Sequence, residues 1–213
     1  SKLLEALKND LRIHQGQIEY LISDNASPDN TREMTHRFME ENPDLPVHYY
    51  RQSRNLGMDR NVFYLLEKAR GRYVWFIADD DEIAPGRLSK ALERLPECDL
   101  PMLVVRADNI IEWDTMGEDP LRGERIFSPA DPKASPILYA TSFLATMIFR
   151  RDMLRGALDE GKKLFGTCYA PWAAGLHAMN RSNKVGFENT LTILGNKNFL
   201  GPVRFGSYLV LIK

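Results

Sequence analysis

Cysteine is scarce in this chain. Cys98 and Cys168 are the two that occur in 213 residues, too few to staple a disulfide-rich domain. They suit a reducing compartment, although one disulfide stays open as an alternative. A surplus of either charge is also missing: 28 Lys and Arg against 29 Asp and Glu leave a net charge of −1. That balance gives no footprint for bulk nucleic-acid binding and leaves room only for a local basic patch. No apolar run approaches the roughly 18 residues of a spanning helix. Residues 1–15 lack the apolar centre of a signal peptide. There is no internal repeat and no low-complexity stretch. The chain opens on Ser1 rather than Met, so its natural start is expected upstream.

What is present is ordinary for a globular domain. Hydrophobic residues are 44% and charged residues 27%, enough apolar surface for one large core. Leu3, Leu4, Leu7 and Leu11 fall at helical spacing. A strand is expected over 18–23, a helix over 31–41 and a strand over 47–50. From Asp59 a stripe of Val62, Leu65, Leu66 and Ala69 predicts a helix that stops at Gly71. Residues 73–77, all aromatic or β-branched, read as a strand buried on both faces. A helix over 86–95 and a strand over 102–106 follow. Residues 112–136, rich in Pro, Asp and Gly, read as a long loop. Later come a strand over 145–149, a helix from Arg151 and a helix over 170–181. The tail after Leu191 carries no clear pattern. Alternating helices and strands predict an α/β fold with a mixed, mainly parallel sheet.

In such sheets ligands bind beyond the carboxyl ends of the strands. Two acidic clusters lie at such ends, Asp24-Asn25 and Asp79-Asp80-Asp81. If the two strands neighbour each other, both clusters line one crevice. Asp79 and Asp81 point to the same side of an extended stretch. Two carboxylates without His or Cys suit a hard cation such as Mg²⁺ or Mn²⁺, with phosphate oxygens and water completing the shell. The alternative for Asp79 to Glu82 is a solvated turn capping the next helix. For Asp24-Asn25 it is a helix-entry Asx turn.

Three stretches together resemble one family. Ile22-Ser23-Asp24-Asn25-Ala26-Ser27-Pro28-Asp29-Asn30-Thr31 is similar to the first strand-end motif of the family 2 glycosyltransferases, which have the GT-A fold. Arg54-Asn55-Leu56-Gly57-Met58-Asp59-Arg60-Asn61 resembles their Asn-x-Gly stretch. Gly71 to Asp81 resembles their Asp-x-Asp region. The Ser-Asp-Asn-Ala-Ser and Asp-Arg-Asn variants look most like the abequosyltransferase-like branch, which acts on bacterial surface polysaccharides. The likeness covers residues 1–95 and, more weakly, Ser142 to Arg151.

The resemblance implies a single GT-A domain over 1–213. Residues 1–100 would bind the nucleotide sugar, and 101–213 would form the acceptor side. It implies transfer of a sugar from a nucleoside-diphosphate donor to a saccharide or lipid-linked saccharide. Asp24, with Asn25, would contact the base. Asn55, Gly57 and Asp59 would line the nucleotide-sugar pocket, with Arg60 near by. Asp79 would contact ribose or donor sugar, Asp81 would coordinate Mg²⁺ or Mn²⁺, and Asp80 would share either role. An inverting mechanism is implied, with a carboxylate deprotonating the acceptor. The implied location is the cytoplasm, or peripherally the inner face of the membrane.

Two departures accompany the likeness. Family members usually begin with a strand before the first helix, so the first strand is expected to be missing here. Their general base usually lies in a downstream acidic pair, and Phe165 to Trp172 contains no acid. Asp159, Glu160 and His177 are the candidates that remain, with Asp152 earlier in the chain. Tyr169 and Trp172 read either as a sugar-stacking pair or as core. Cys168 reads as a small packed residue. Arg150-Arg151 reads as a contact for diphosphate or an anionic lipid carrier, or as a solvated helix start. The rival readings are a sugar nucleotidyltransferase, for which no Gly-rich phosphate loop is found, and a domain that binds a nucleotide sugar or glycan without turnover.

Overall fold

Period-2 burial organises the molecule, a computed structural model that describes residues 2–78, 81–97, 99–108, 125–135, 138, 141, 143–194 and 206–212. The strands in chain order are β1 (Ile18–Asp24), β2 (Val47–Arg51), β3 (Tyr73–Ala78), β4 (Glu82–Ile83), β5 (Met102–Asp108), β6 (Arg125–Phe127), β7 (Met147–Arg150), β8 (Val185–Leu194) and β9 (Gly206–Ile212). The helices are α1 (Lys2–Ile13), α2 (Thr31–Glu41), α3 (Met58–Lys68), α4 (Arg87–Arg94), α5 (Arg151–Arg155), α6 (Leu158–Lys162) and α7 (Ala170–Ser182).

Alternate residues of each central strand feed two cores. Leu21, Val74, Phe76, Met102, Val104 and Phe149 pack on one face, with Val62, Phe63, Leu65 and Leu66 of α3 and Ala174 and Ala178 of α7. Tyr20, Ile22, Trp75, Ile77, Leu103 and Ile148 pack on the other, with the Leu3, Leu4, Leu7 and Leu11 stripe of α1 and with Leu88 and Leu92 of α4. Tyr73 to Ile77 is buried throughout, as its composition predicts. Trp75, fully buried, satisfies its indole N–H on the Ala145 carbonyl at 2.8 Å.

The sheet order is β2-β1-β9-β3-β7-β5-β8-β4, with β6 also on β8. β1 pairs parallel with β2, and β5 with β8. β9 and β7 run against their neighbours, so most ladders are antiparallel although β1, β2, β3, β5 and β8 share one direction. Two points of the reading are decided here. First, the condition that β1 and β3 neighbour each other is not met, because β9 lies between them and runs antiparallel to both. Second, the stretch read as one loop over 112–136 contains β6 and a short 3-10 turn, Pro132–Ala134. Residues 109–124 of that stretch lie outside the described residues.

Arg151 explains how α3 turns into β3. Its Nε donates to the Gly71 carbonyl at 2.5 Å, and its Nη1 and Nη2 donate to Ala69 and Arg70, each at 3.0 Å. The Glu19 carboxylate accepts the Arg70 and Gly71 N–H groups at 2.8 and 3.0 Å. The turn is held through both of its polarities. Arg150 pairs with Asp99 and with Asp152, and sits opposite Tyr73 at the start of β3. Both arginines are therefore structural, at the sheet edge opposite the acidic strand ends, and neither faces a diphosphate at those ends. Arg151→Ala leaves three carbonyls without their donor, and is expected to lower unfolding free energy by about 3 kcal/mol, read by urea denaturation. Arg72→Ala, on a solvent-facing side chain of the same turn, serves as the control.

Candidate functional site at the carboxyl edge of the sheet

Asp24 ends β1 facing Arg51, its register partner at the end of β2. Its carboxylate is almost fully buried. Oδ1 accepts the Ser27 N–H at 2.7 Å, and Oδ2 accepts Tyr49 Oη–H at 2.5 Å and Arg51 Nη1–H at 2.6 Å. Arg51 also donates to the Ser27 carbonyl at 3.1 Å, closing the loop over the carboxylate. Burial pushes the Asp24 carboxyl up, but the bonds from Tyr49 and Ser27 and the Arg51 charge outweigh it and hold it below the usual carboxylate range. Burial and the same carboxylate push the Tyr49 phenol up to about 12.

Asn25 ties the first stretch to the second. Its Nδ2 donates to Asn55 Oδ1 at 2.9 Å, and its Oδ1 accepts the Leu56 N–H at 2.8 Å. Asn55 Oδ1 also accepts the Gly57 N–H at 2.8 Å. Gly57 stands at the head of α3 with φ of +80°, a conformation glycine adopts without penalty. Apart from its chain neighbours, no described atom lies within 4 Å of where its Cβ would be, so the space beside it is open among the described residues. Below this, Ser23 Oγ donates to Asn61 Oδ1 at 2.6 Å, and Asn61 Nδ2 returns to the Ser23 carbonyl at 3.1 Å. These bonds fix α3 against the end of β1.

Asp59 carries bonds that the sequence did not show. It is 2% exposed. Its Oδ2 accepts the N–H groups of Gly166 and Cys168 at 2.7 and 3.0 Å, and its Oδ1 accepts that of Ala170 at 3.1 Å. Both oxygens are thus engaged with a loop more than a hundred residues away. Arg60 is exposed and lays its guanidinium over the Phe165 ring at 4.6 Å, so it too serves that loop. Cys168 is exposed rather than packed, with φ of +67°. Partial burial of its thiol and the Asp59 charge push its pKa up, away from a reactive thiolate.

Asp81 lies just beyond β3 and is 4% exposed. Its Oδ2 accepts the Ala78 N–H at 2.9 Å, while its own N–H donates to the Ala78 carbonyl at 3.2 Å. Asp79 and Asp80 lie outside the described residues. Ala78 and Asp24 flank the start of β9 from opposite sides, opposite Ser207 and Gly206. Two strand spacings, roughly 10 Å, therefore separate the two acidic strand ends along one edge. Among the described residues no three His, Cys, Asp or Glu side chains form a metal-sized cluster. The oxygen-only donor Asp81 fits a hard cation, and further ligands would come from Asp79 and the substrate.

The three candidate bases lie on α6 and α7. Asp159 pairs with Lys162 at 3.0 Å and Glu160 with Lys163 at 2.7 Å. His177, half-buried on α7, lies within reach of the Glu160 charge. Asp152 is held by Arg150. No described hydrogen bond or ion pair joins any of the four to Asp24, Asn25, Asn55 or Asp81. Tyr49 and Arg51 were not legible in the sequence as part of the site. The signal for them was the buried charge of Asp24 and the Arg at the end of the next strand.

The Asp24 cluster gives a pH-dependent prediction. A carboxyl held low in the fold contributes stability that is present above its unfolded pKa of about 4 and is lost as pH falls through the folded value. Asp24→Asn is expected to be less stable than wild type by about 3 kcal/mol at pH 7, with the gap shrinking on acidification below about pH 4. Urea melts of both proteins at stepped pH read this. A gap that does not change with pH contradicts the ionised assignment.

Comparison with known proteins bears on the family and the fold. The profile of Glycosyl transferase family 2 matches residues 1–156. The chain is 39% identical over 88 residues to abequosyltransferase RfbV of Salmonella typhimurium, spanning 41% of this chain and 26% of that protein. It is 33% identical over 79 residues to the putative teichuronic acid biosynthesis glycosyltransferase TuaG of Bacillus subtilis, spanning 37% and 31% of the two chains. In three dimensions it is similar to S. aureus TarS 1–349 in complex with UDP, with a TM-score of 0.65 and 17% identity over 91% of this chain and 56% of that one. It is also similar to the mannosyltransferase PcManGT of Pyrobaculum calidifontis in complex with GDP-Man and Mn²⁺, with a TM-score of 0.54 and 16% identity over 84% and 48% of the two chains. The matches span only about a quarter to a half of those relatives' lengths. With a mixed sheet of GT-A type and a family match over most of its length, the chain belongs to glycosyl transferase family 2.

Proposed function

We propose that the chain binds a nucleoside-diphosphate sugar at the carboxyl edge of its sheet and transfers the sugar to a saccharide or lipid-linked saccharide during bacterial surface polysaccharide synthesis. The observation that carries the reading is the convergence of Asp24, Asn25 and Asn55, with Asp81 on the same edge, around the open head of α3. The abequosyltransferase and the putative teichuronic acid biosynthesis glycosyltransferase among the relatives support the biological setting. The UDP and GDP-Man complexes among the structural relatives support a nucleotide-sugar donor.

In this reading Asp24 meets the base, with Tyr49 and Arg51 holding its carboxylate ionised and oriented. Asn55 and Gly57 line the pocket and leave room for the donor in front of α3. Asp59 acts indirectly, by holding the loop after α6 against the head of α3. Asp79 meets ribose or donor sugar, and Asp81, with Asp79 or Asp80, holds Mg²⁺ or Mn²⁺. Such a cation, when bound, neutralises charge on the departing diphosphate. The Ala78 N–H, donating to Oδ2, keeps the Asp81 carboxylate turned in toward the strand end. In-line attack by an acceptor hydroxyl gives inversion, as in the mechanism that the family resemblance implies.

One observation favours a second reading, donor binding without turnover. Asp159 and Glu160 are held in solvent-facing ion pairs, and Asp59 is filled by backbone donors. Release of sugar from the donor separates the two readings.

Calorimetry with UDP, GDP, CDP and dTDP, each with and without Mn²⁺, tests the donor site. One nucleotide is expected to bind in a Mn²⁺-dependent manner, and Asp81→Ala is expected to weaken that binding at least about tenfold, the scale of one lost charge-assisted contact. Absence of binding to all four by folded protein contradicts the reading.

A further inference from the structure

The loop between α6 and α7 is fastened with unusual care for a surface segment. Asp59 receives N–H groups from Gly166, Cys168 and Ala170. Phe165 docks edge-on against Phe63, with ring centroids 4.9 Å apart, under the Arg60 guanidinium. Gly166 and Cys168 both take left-handed φ, +95° and +67°, and for Cys168 that conformation is strained. Gly161 lets α6 approach closely, since a Cβ there would meet the Ala170 carbonyl at 2.6 Å and Phe63 Cζ at 2.7 Å.

Among the side chains that this loop exposes is one aromatic ring. Tyr169 lies between two residues that bond to Asp59, and it is 53% exposed. Behind it stands Trp172, in a T-shaped arrangement with centroids 6.0 Å apart and planes at 70°. Trp172 is half-buried, and its Nε1–H donates to Thr141 Oγ1 at 2.9 Å, which fixes the orientation of its ring. A core role for Tyr169 does not fit that exposure. Asp59, two residues after Gly57, places the loop beside the open head of α3, where the donor would lie.

We propose that the Tyr169 ring, backed by Trp172, is the platform on which the pyranose ring of the acceptor stacks. This rests on the reading of the chain as a glycosyltransferase. The chemistry matches: a pyranose carries an apolar C–H face that an exposed aromatic face covers, and the phenol hydroxyl adds a polar contact at the ring's rim. A platform pinned through Asp59 to the first turn of α3 holds the acceptor at a fixed distance from the anomeric carbon, the positioning that in-line transfer needs.

Saturation-transfer NMR on the whole chain, loaded with the nucleotide selected by calorimetry, tests this with methyl glycosides of hexoses and N-acetylhexosamines as probes. At least one pyranoside is expected to bind through its C–H face. Tyr169→Ala is expected to weaken it about fivefold and Tyr169→Phe less than about twofold, the range of one aromatic contact. Nucleotide affinity, measured alongside, is expected to be unchanged in Tyr169→Ala. Equal glycoside binding by Tyr169→Ala and wild type overturns the platform, as does a chain that binds nucleotide and no glycoside. A chain that binds neither overturns the donor reading and the platform with it.

Discussion

A carboxylate buried at the head of a helix and filled by backbone donors from a distant loop is the constraint on which this structure turns. Asp59 has no cationic partner among its described bonds. Its charge is met by three N–H groups and by the first turn of α3, where the helix dipole favours a negative group. Without that carboxylate the loop would expose three unpaired donors, and the loop itself adopts two left-handed residues that a free segment would abandon. The head of α3 is thereby tied on two sides. Ser23, Asn25, Asn55 and Asn61 bind it to the end of β1, and Asp59 binds it to the chain before α7. The open space before Gly57 lies between these ties.

The acidic strand ends follow a common rule with different solutions. Asp24 is almost fully buried and stays ionised because β2 ends beside it with Arg51 and carries Tyr49 two residues earlier. Asp81 is buried with a reciprocal backbone turn at Ala78. Both sit at the carboxyl edge of the sheet, where ligands bind in folds of this class. The opposite edge uses the same residue types for a purely structural end, with Glu19 and Arg151 clamping one turn from both polarities. Charge type alone therefore does not mark the site; the edge of the sheet does.

The sequence carried the first hundred residues well. The helix over 31–41 and the strand from Tyr73 match the structure because their periodicity and composition are strong. The later strands were less legible. β8 extends through a tail without a clear pattern, and β9 offers an apolar run whose direction and place in the sheet depend on pairing with β1 and β3. A sequence does not show whether an antiparallel strand separates two acidic strand ends. Asp24, Asn25, Asn55 and Gly57 were legible as turn and cap chemistry in a family-like order. Tyr49 and Arg51 were not, because their role follows from the register that sets Asp24 opposite Arg51. Asp59 was legible as important but not in its actual task, since its partners are backbone groups over a hundred residues away.

The central claim is that residues from three separate stretches form one nucleotide-diphosphate site at the carboxyl edge. Hydrogen–deuterium exchange with and without a nucleoside diphosphate and Mn²⁺ tests it most directly. The account predicts slowed exchange together at 24–28, 55–60 and 79–83, with 150–155 at the opposite edge unchanged. Protection confined to one of those stretches, or appearing at the opposite edge instead, contradicts it.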